Sequence, residues 1–258
     1  MTVRAVETIV ITGASRGIGA ASAEHLAVGR RRLVLVSRSA SSLEALCARL
    51  PVESIPLPID LSAEDAGPSL LKSLKDRGLE PDGWVLNAGM SNDVAFTASD
   101  AAAVRRELQL NYLTPLSILE AEVRRMRVLG SGRVVTVGSL TSFVPFPGNA
   151  TYAASKAALF TLVRSLRAEL DGSGVKLGVV LPGYTRTAMT NGLSKSWVPS
   201  MSADEVGRHV AQAYERGDAL VVPGLANRIA ARIFGGFPKT SDWMLTRFAS
   251  LVVPKADA

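Results

Sequence analysis

The chain has 258 residues, 47% hydrophobic and 20% charged, which supplies the core of one large α/β domain and excludes a fibrous or disordered protein. Its formal charge of +6 and sequence pI near 9.8 raise the question of an acidic partner. No zinc pattern, RNP-like motif or basic recognition helix is present, so nucleic acid is not the expected partner. Arg30 to Arg32, Arg105, Arg106, Arg124, Arg125 and Arg127 are instead spread over helical stretches as solvated faces, a basic surface suited to phosphorylated cofactors or acidic carrier proteins. Cys47 is the only cysteine, so an intrachain disulfide is impossible, and His25 and His209 are isolated in helical patterns, so no metal site is expected. No apolar run approaches the roughly 18 residues of a membrane span. Met1 leads straight into the strand-like ETIVIT without a signal-peptide succession, and the expectation is a cytoplasmic protein.

In chain order, the β-branched run Thr8 to Ile11 is followed by TGASRGIG and then by the helical AASAEHLAVG. Strand, glycine turn and helix form the setting in which Gly13, Gly17 and Gly19 let a phosphate approach the backbone at a helix N-terminus. A second strand, Leu33 to Val36, ends in Ser37-Arg38, where a carboxylate would bind a free ribose 2′-hydroxyl. Arg38, with Arg16 in the turn, can instead pair with a 2′-phosphate through a forked guanidinium, which favours NADP(H) over NAD(H). A third strand, Ile55 to Ile59, precedes Asp60, and a fourth, Trp84 to Leu86, runs into Asn87-Ala88-Gly89. Helical stretches at Ser39 to Leu50 and Ala63 to Arg77 alternate with these strands. The pattern predicts a single-domain, Rossmann-type doubly wound parallel sheet of about seven strands with helices on both faces, its ligands at the carboxyl ends of the strands.

The second half continues with a long helical region from Ala98 to Leu129 that contains Asn111, then a strand from Arg133 to Val137 that delivers Ser139 to the same edge. A loop rich in Pro and Phe leads into a helix from Asn149 to Leu170, and a strand from Val175 to Leu181 ends in Pro182-Gly183. Tyr152 and Lys156, four apart, project from one helix face a turn apart. A tyrosine is a poor acid or base near neutrality because its reference pKa is about 10. An ammonium roughly 4 Å away favours the phenolate by about 4 kcal/mol at an effective dielectric near 20, before desolvation is subtracted. Tyr152 can then serve as a general acid or base.

Taken together, TGASRGIG, the Asp60 position, NAG at Asn87 to Gly89, Asn111, Ser139, Tyr152-x-x-x-Lys156 and Pro182-Gly183 followed by Thr187 resemble the short-chain dehydrogenase/reductase family over roughly Thr8 to Val222. The resemblance implies that Gly13, Ser15, Arg16, Gly17, Ile18 and Gly19 hold the cofactor pyrophosphate and that Ser37 and Arg38 meet the ribose. Asp60, with Leu61 beside it, contacts the adenine amino group, and Asn87, Ala88 and Gly89 support the adenosine half. Pro182, Gly183 and Thr187 meet the nicotinamide carboxamide, with Thr185 in the same run. By the same resemblance Ser139 hydrogen-bonds the substrate oxygen and Tyr152 passes the proton. Lys156 lowers the tyrosine pKa and holds the nicotinamide ribose, and Asn111 fixes a relay water. Leu86 departs from the pattern, since members often have an asparagine there that makes a structural hydrogen bond.

The substrate side, Ser139, Phe143, Phe146, Tyr184, Met189 and Trp197, is mostly apolar, as suits a hydrophobic ketone or secondary alcohol. The last strand is Ala219 to Val222, and residues 224–258 form an extension of helical periodicity, Asn227 to Phe237 carrying Ile and Phe with Arg228 and Arg232. Such a stripe packs on its own domain, closes over the substrate as a lid, or makes a peripheral membrane or partner contact. The reaction expected is hydride transfer between NADP(H) and a carbonyl or alcohol in a homodimer or homotetramer. A narrower alternative is reduction of 3-oxoacyl groups on acyl carrier protein, docked by Arg124, Arg125, Arg127, Arg164 and Arg167. An alternative of another class is an NADP(H)-sensing protein without turnover.

Overall fold

The computed structural model describes residues 6–92, 94, 96–190, 200–237, 243 and 246. In chain order the strands are β1 (Glu7–Thr12), β2 (Arg31–Ser37), β3 (Glu53–Pro58), β4 (Gly83–Leu86), β5 (Gly132–Val137), β6 (Val175–Val180), β7 (Thr185–Arg186), β8 (Met201–Ser202) and β9 (Leu220–Val221). The helices are α1 (Gly17–Leu26), α2 (Ala40–Cys47), α3 (Ala66–Asp76), α4 (Ala101–Leu108), α5 (Thr114–Leu129), α6 (Ala150–Glu169), α7 (Ala203–Arg216) and α8 (Leu225–Gly236). Seven strands form one parallel sheet in the order β3-β2-β1-β4-β5-β6-β9.

The strands are apolar at consecutive positions because both faces of the sheet are covered. Ile9, Ile11, Leu33, Leu35, Val85 and Val135 face one layer, where α1, α2 and α7 contribute Leu26, Leu43, Val206, Val210 and Tyr214. Val10, Val34, Val36, Trp84, Leu86 and Val134 face the other, where α3, α5 and α6 contribute Leu70, Ile118, Leu119, Leu159 and Phe160. The chain order reverses at β1, which pairs with β2 on one side and β4 on the other, and this opens a crevice at the carboxyl ends of the two strands.

The opposite end of the sheet is fastened by charge. Glu7 accepts hydrogen bonds from Arg31 at 2.8 Å and from the buried Tyr214 hydroxyl at 2.9 Å, and Arg31 also pairs with Glu215 at 2.5 Å. Burial and the Glu7 carboxylate hold the Tyr214 phenol far above its ordinary value. On the α5 side, the Trp84 indole donates to Glu122 at 2.9 Å, and Arg125 bonds both Glu122 and the Pro81 carbonyl. Arg125 is thus a structural residue, and Arg124 pairs with Glu120 one turn away. Cys47 and His209 are half-buried, with desolvation raising the thiol and lowering the imidazole, and His25 bonds Asp204 across α1 and α7.

Several expected boundaries change. The region Ala98 to Leu129 is not one helix: a 3-10 turn at Phe96–Ala98 precedes α4, which Asp100 caps with bonds to the Ala102 and Ala103 N–H groups, and a π-helical turn at Gln109–Leu113 separates α4 from α5. The second and third helices are shorter than expected, because Ser39 caps α2 and residues 63–65 turn before α3. The small parallel pair β7-β8 is an addition. α8 has no buried residue. Leu225, Ile229 and Ile233 are exposed along one face beside Arg228 and Arg232, while Asn227, Ala230, Ala231 and Phe234 are the half-buried face. No helix among the described residues is long and apolar enough to cross a membrane.

Candidate active site

The site begins where β1 stops. Thr12 Oγ1 accepts the N–H groups of Asn87 at 3.0 Å and Ala88 at 3.1 Å, and the Asn87 amide donates to the carbonyls of Thr12 and Gly13. These bonds lock the Asn87–Gly89 loop onto the glycine turn. Leu86 is an apolar core residue at 3% exposure, and the fastening is made by Thr12 and Asn87 themselves. Gly13 has φ +67°, and a Cβ there would lie 2.8 Å from the Ala88 Cα and the Asn87 amide nitrogen. At Gly19 a Cβ would collide with the Gly13 carbonyl and lie 2.5 Å from the Asn87 amide. Ser15 and Arg16 form the outer turn, with Arg16 exposed at the start of α1 and Ile18 half-buried behind it.

At the end of β2, the Ser37 hydroxyl is buried without a hydrogen-bond partner, and Arg38 beside it is exposed. Asp60 lies across from them at the end of β3. The Ser62 hydroxyl at 2.7 Å and its N–H at 2.9 Å, with help from the Arg38 charge, hold its carboxyl below the ordinary value. Both bonds fall on Oδ1. Leu61 is buried and its carbonyl accepts the Thr114 hydroxyl. The glycine cradle, the orphaned Ser37 hydroxyl and the exposed Arg38 guanidinium fit a dinucleotide that carries a 2′-phosphate.

At the end of β5, Ser139 is buried and its Oγ accepts the Thr141 N–H at 3.2 Å, opening a 3-10 turn at Leu140–Ser142. The Leu140 N–H bonds the Pro182 carbonyl at 2.9 Å, which fixes this segment to the end of β6. Tyr152 and Lys156 lie in the first two turns of α6, and the lysine Nζ is 5.8 Å from the centre of the tyrosine ring. Lys156 is 4% exposed and donates to the Val137 carbonyl at 3.0 Å. Burial pulls its pKa down to about 8, with the Glu107 carboxylate acting in the other direction. The ammonium that the sequence places beside Tyr152 is therefore a buried group, drawn well below its ordinary value.

Asn111 is fully buried in the π-helical turn. Its amide donates to the Met90 carbonyl at 2.9 Å and to Ser155 Oγ at 3.0 Å, while its Oδ1 accepts the Met90 N–H. Pro115 supplies no N–H to the Asn111 carbonyl four residues back. A Cβ on Gly89 would lie 3.2 Å from both Asn111 Oδ1 and Lys156 Nζ, so these two groups and the Asn87–Gly89 loop meet at one point.

The remaining groups line the rim. Thr185 is buried and donates to the Gly183 carbonyl, and a Cβ on Gly17 would lie 3.4 Å from the Thr187 methyl, which brings Thr187 to the phosphate turn. Tyr184 donates to the Thr190 carbonyl at 3.1 Å, Phe146 is half-buried and Met189 is exposed. Phe143 turns partly into the core, edge-on to Phe160 at 4.9 Å. Trp197 lies outside the described residues. α8 reaches this rim: a Cβ on Gly235 would lie 3.3 Å from Phe143, and one on Gly183 would meet the Asn227 amide. Thr12, Asn227 and Glu107 were not singled out from the sequence; only the threonine had a signal, standing first in TGASRGIG.

A Rossmann crevice that joins a phosphate turn to a serine, tyrosine and lysine defines a dinucleotide-dependent oxidoreductase. The short chain dehydrogenase profile matches residues 7–197, and the chain belongs to that family. It is 31% identical over 217 residues to the ketoacyl reductase HetN of Nostoc sp., covering 83% of this chain and 75% of that one. It is 29% identical over 226 residues to the 3-oxoacyl-(acyl-carrier-protein) reductase FabG of Escherichia coli, covering 88% and 92%. Among solved structures it is similar to a short-chain dehydrogenase from Sphingobium yanoikuyae in complex with NADPH, with TM-score 0.80, 29% identity and 98% of each chain covered. It is also similar to the bulky-bulky ketone specific alcohol dehydrogenase from Comamonas testosteroni, with TM-score 0.76, 26% identity and 98% and 97% covered.

Proposed function

We propose that the protein interconverts a bulky apolar ketone and its secondary alcohol with NADP(H). The observation that carries this reading is the apolar rim around Ser139 and Tyr152, where Phe143 and Gly183 are approached by α8. Among solved structures, the NADPH-bound and ketone-specific relatives are matched over 98% of this chain, whereas a 3-oxoacyl (acyl-carrier-protein) reductase from Agrobacterium tumefaciens is matched over 84%. α8, the described part of the extension, is accordingly read as one side of the substrate mouth within a single-domain enzyme.

Bound NADPH supplies the hydride. Ser139 Oγ already accepts the Thr141 N–H, so its own proton is available to a substrate oxygen. Tyr152 delivers the proton to that oxygen, and Lys156, held by the Val137 carbonyl, keeps positive charge beside the tyrosine. Asn111 anchors the loop bearing Met90 and, through Ser155, the turn of α6 that carries Lys156. Arg38 and Ser37 would hold the 2′-phosphate, and the glycine turn the pyrophosphate.

The test is NADPH oxidation by the purified protein across small diketones, ring ketones and long-chain 3-oxoacyl thioesters, beside Tyr152→Phe. Turnover greatest with bulky ketones and lost in the variant supports the reading. A marked preference for carrier-bound thioesters supports the second one, 3-oxoacyl reduction, which the names of the HetN and FabG relatives favour. Against that second reading, Arg124 and Arg125 are engaged with Glu120 and Glu122, and Arg164 stands over the Phe160 ring at 5.2 Å. Assembly as a homo-oligomer and membrane contact through the outward stripe of α8 complete the proposal; sedimentation velocity and vesicle flotation test them.

A further inference from the structure

Among the described residues, Glu107 is the carboxylate with no exposed surface, and none of the steps above uses it. It sits at the end of α4, one turn before Asn111. Its Oε2 accepts the Thr151 hydroxyl at 2.6 Å and the Asn92 amide at 3.4 Å, and its Oε1 accepts the Asn92 N–H at 3.2 Å. Thr151 immediately precedes Tyr152, and Asn92, which also bonds the Ala103 carbonyl at 3.0 Å, follows the Asn87–Gly89 loop. Glu107 thus ties three segments that converge on the proton-handling groups.

All three of its donors are neutral. A carboxylate taken wholly out of water is costly unless opposite charge lies nearby, and Lys156 is the buried cation that feels it. Tyr152 from α6 itself, the Val137 carbonyl from β5 and the Asn111 amide beside Gly89 lie around Lys156, and the Glu107 carboxylate, one turn before Asn111 on α4, acts on it through charge without touching it. Glu107 is the only charged side chain among them.

We propose that Glu107 is a positioning residue of this site: it is the fixed counter-charge that keeps Lys156 ionised, and the latch that joins the loop after Gly89 to the first turn of α6. The proposal rests on the reading that Tyr152 and Lys156 conduct the proton chemistry. A buried acid of purely structural use would hold the loop without touching the ionisation of the lysine.

The two roles separate by substitution. Glu107→Gln keeps the shape and removes the charge; Thr151→Val keeps the charge and removes the bond next to Tyr152. Profiles of kcat against pH at saturating NADPH are expected to show the alkaline limb about one pH unit lower in Glu107→Gln, the scale on which one neighbouring charge moves a titrating group. In Thr151→Val, kcat should fall with the limb unmoved. NMR titration of carbon-13-labelled lysine gives the same comparison without turnover: the Lys156 signal should titrate at lower pH in Glu107→Gln than in the parent protein.

An unmoved limb and an unmoved lysine titration in Glu107→Gln overturn the proposal, as does a Thr151→Val limb displaced as far as that of Glu107→Gln. If the glutamine variant does not fold, Glu107→Asp decides, since it withdraws the charge by one methylene: displacement toward lower pH supports the proposal and none overturns it. A parent protein inactive on every carbonyl, or a Tyr152→Phe variant as active as the parent, sinks the reading of the site instead.

Discussion

Replacing Lys156 by methionine should make the apo protein respond differently to alkali, and the size of the effect follows from the burial of the ammonium. In the folded state the lysine titrates near 8 instead of at its usual 10.5, because desolvation penalises the charged form. Below pH 8 the group is protonated whether the chain is folded or not, and the folded state bears the whole cost of the buried charge. Between 8 and 10.5 the unfolded chain binds more protons than the folded one, so stability rises with pH across that window. At about 1.4 kcal/mol per pH unit, the 2.5-unit displacement amounts to about 3 kcal/mol. Lys156→Met abolishes this dependence. The pH-independent consequences, a lost bond to the Val137 carbonyl and a change in packing, offset the two stability curves without altering how they diverge. Urea unfolding of both proteins at intervals from pH 7 to pH 10 should therefore show the parent gaining on the variant by about 2 to 3 kcal/mol. Parallel curves would mean that the lysine titrates normally. A parent that loses ground as pH rises would mean that its attraction to Glu107 outweighs its desolvation.

Arg38→Asp should move cofactor preference from NADPH towards NADH by roughly tenfold or more, the worth of one or two charge-assisted hydrogen bonds; equal binding of both cofactors by the parent, measured by fluorescence titration, would contradict the role given to Ser37 and Arg38. Gly19→Ala places a methyl against the Gly13 carbonyl and the Asn87 amide, and should weaken NADPH binding at least tenfold while costing about 1 to 3 kcal/mol in stability. Gly83→Ala drives a methyl into the Tyr214 ring at the other end of the sheet, and should cost a similar amount in thermal unfolding without changing KM for NADPH.

What the sequence disclosed and what it withheld divide along physical lines. Strand identity and the residues that gather at the candidate site were legible because their signals are local: apolar runs, the spacing of Gly13, Gly17 and Gly19, and the four-residue interval from Tyr152 to Lys156. The β7-β8 pair was not, since it is a parallel pairing of two-residue strands 16 residues apart, too short for any period-two pattern to show. Hydrophobic periodicity found the stripe on α8 but says nothing of the side it faces: Leu225, Ile229 and Ile233 face outward, while Phe234 faces inward. The π-helical turn left one clue, Pro115, whose missing N–H disturbs the ladder at Asn111. Glu107 left none: in VRREL it reads as one more solvated charge, and only the folded chain reveals that it is enclosed by Asn92 and Thr151.

The two ends of the sheet have different employments, the Glu7, Arg31 and Tyr214 network at one and the crevice at the other. A six-residue strand such as β1 holds them about 20 Å apart, well beyond the 7 to 10 Å within which substitutions couple. Changes at the Glu7 end should therefore combine additively with changes around Tyr152. For a variant of this enzyme, stability raised at the far end becomes a reserve against which the substrate mouth can be rebuilt, with neither alteration constraining the choice of the other.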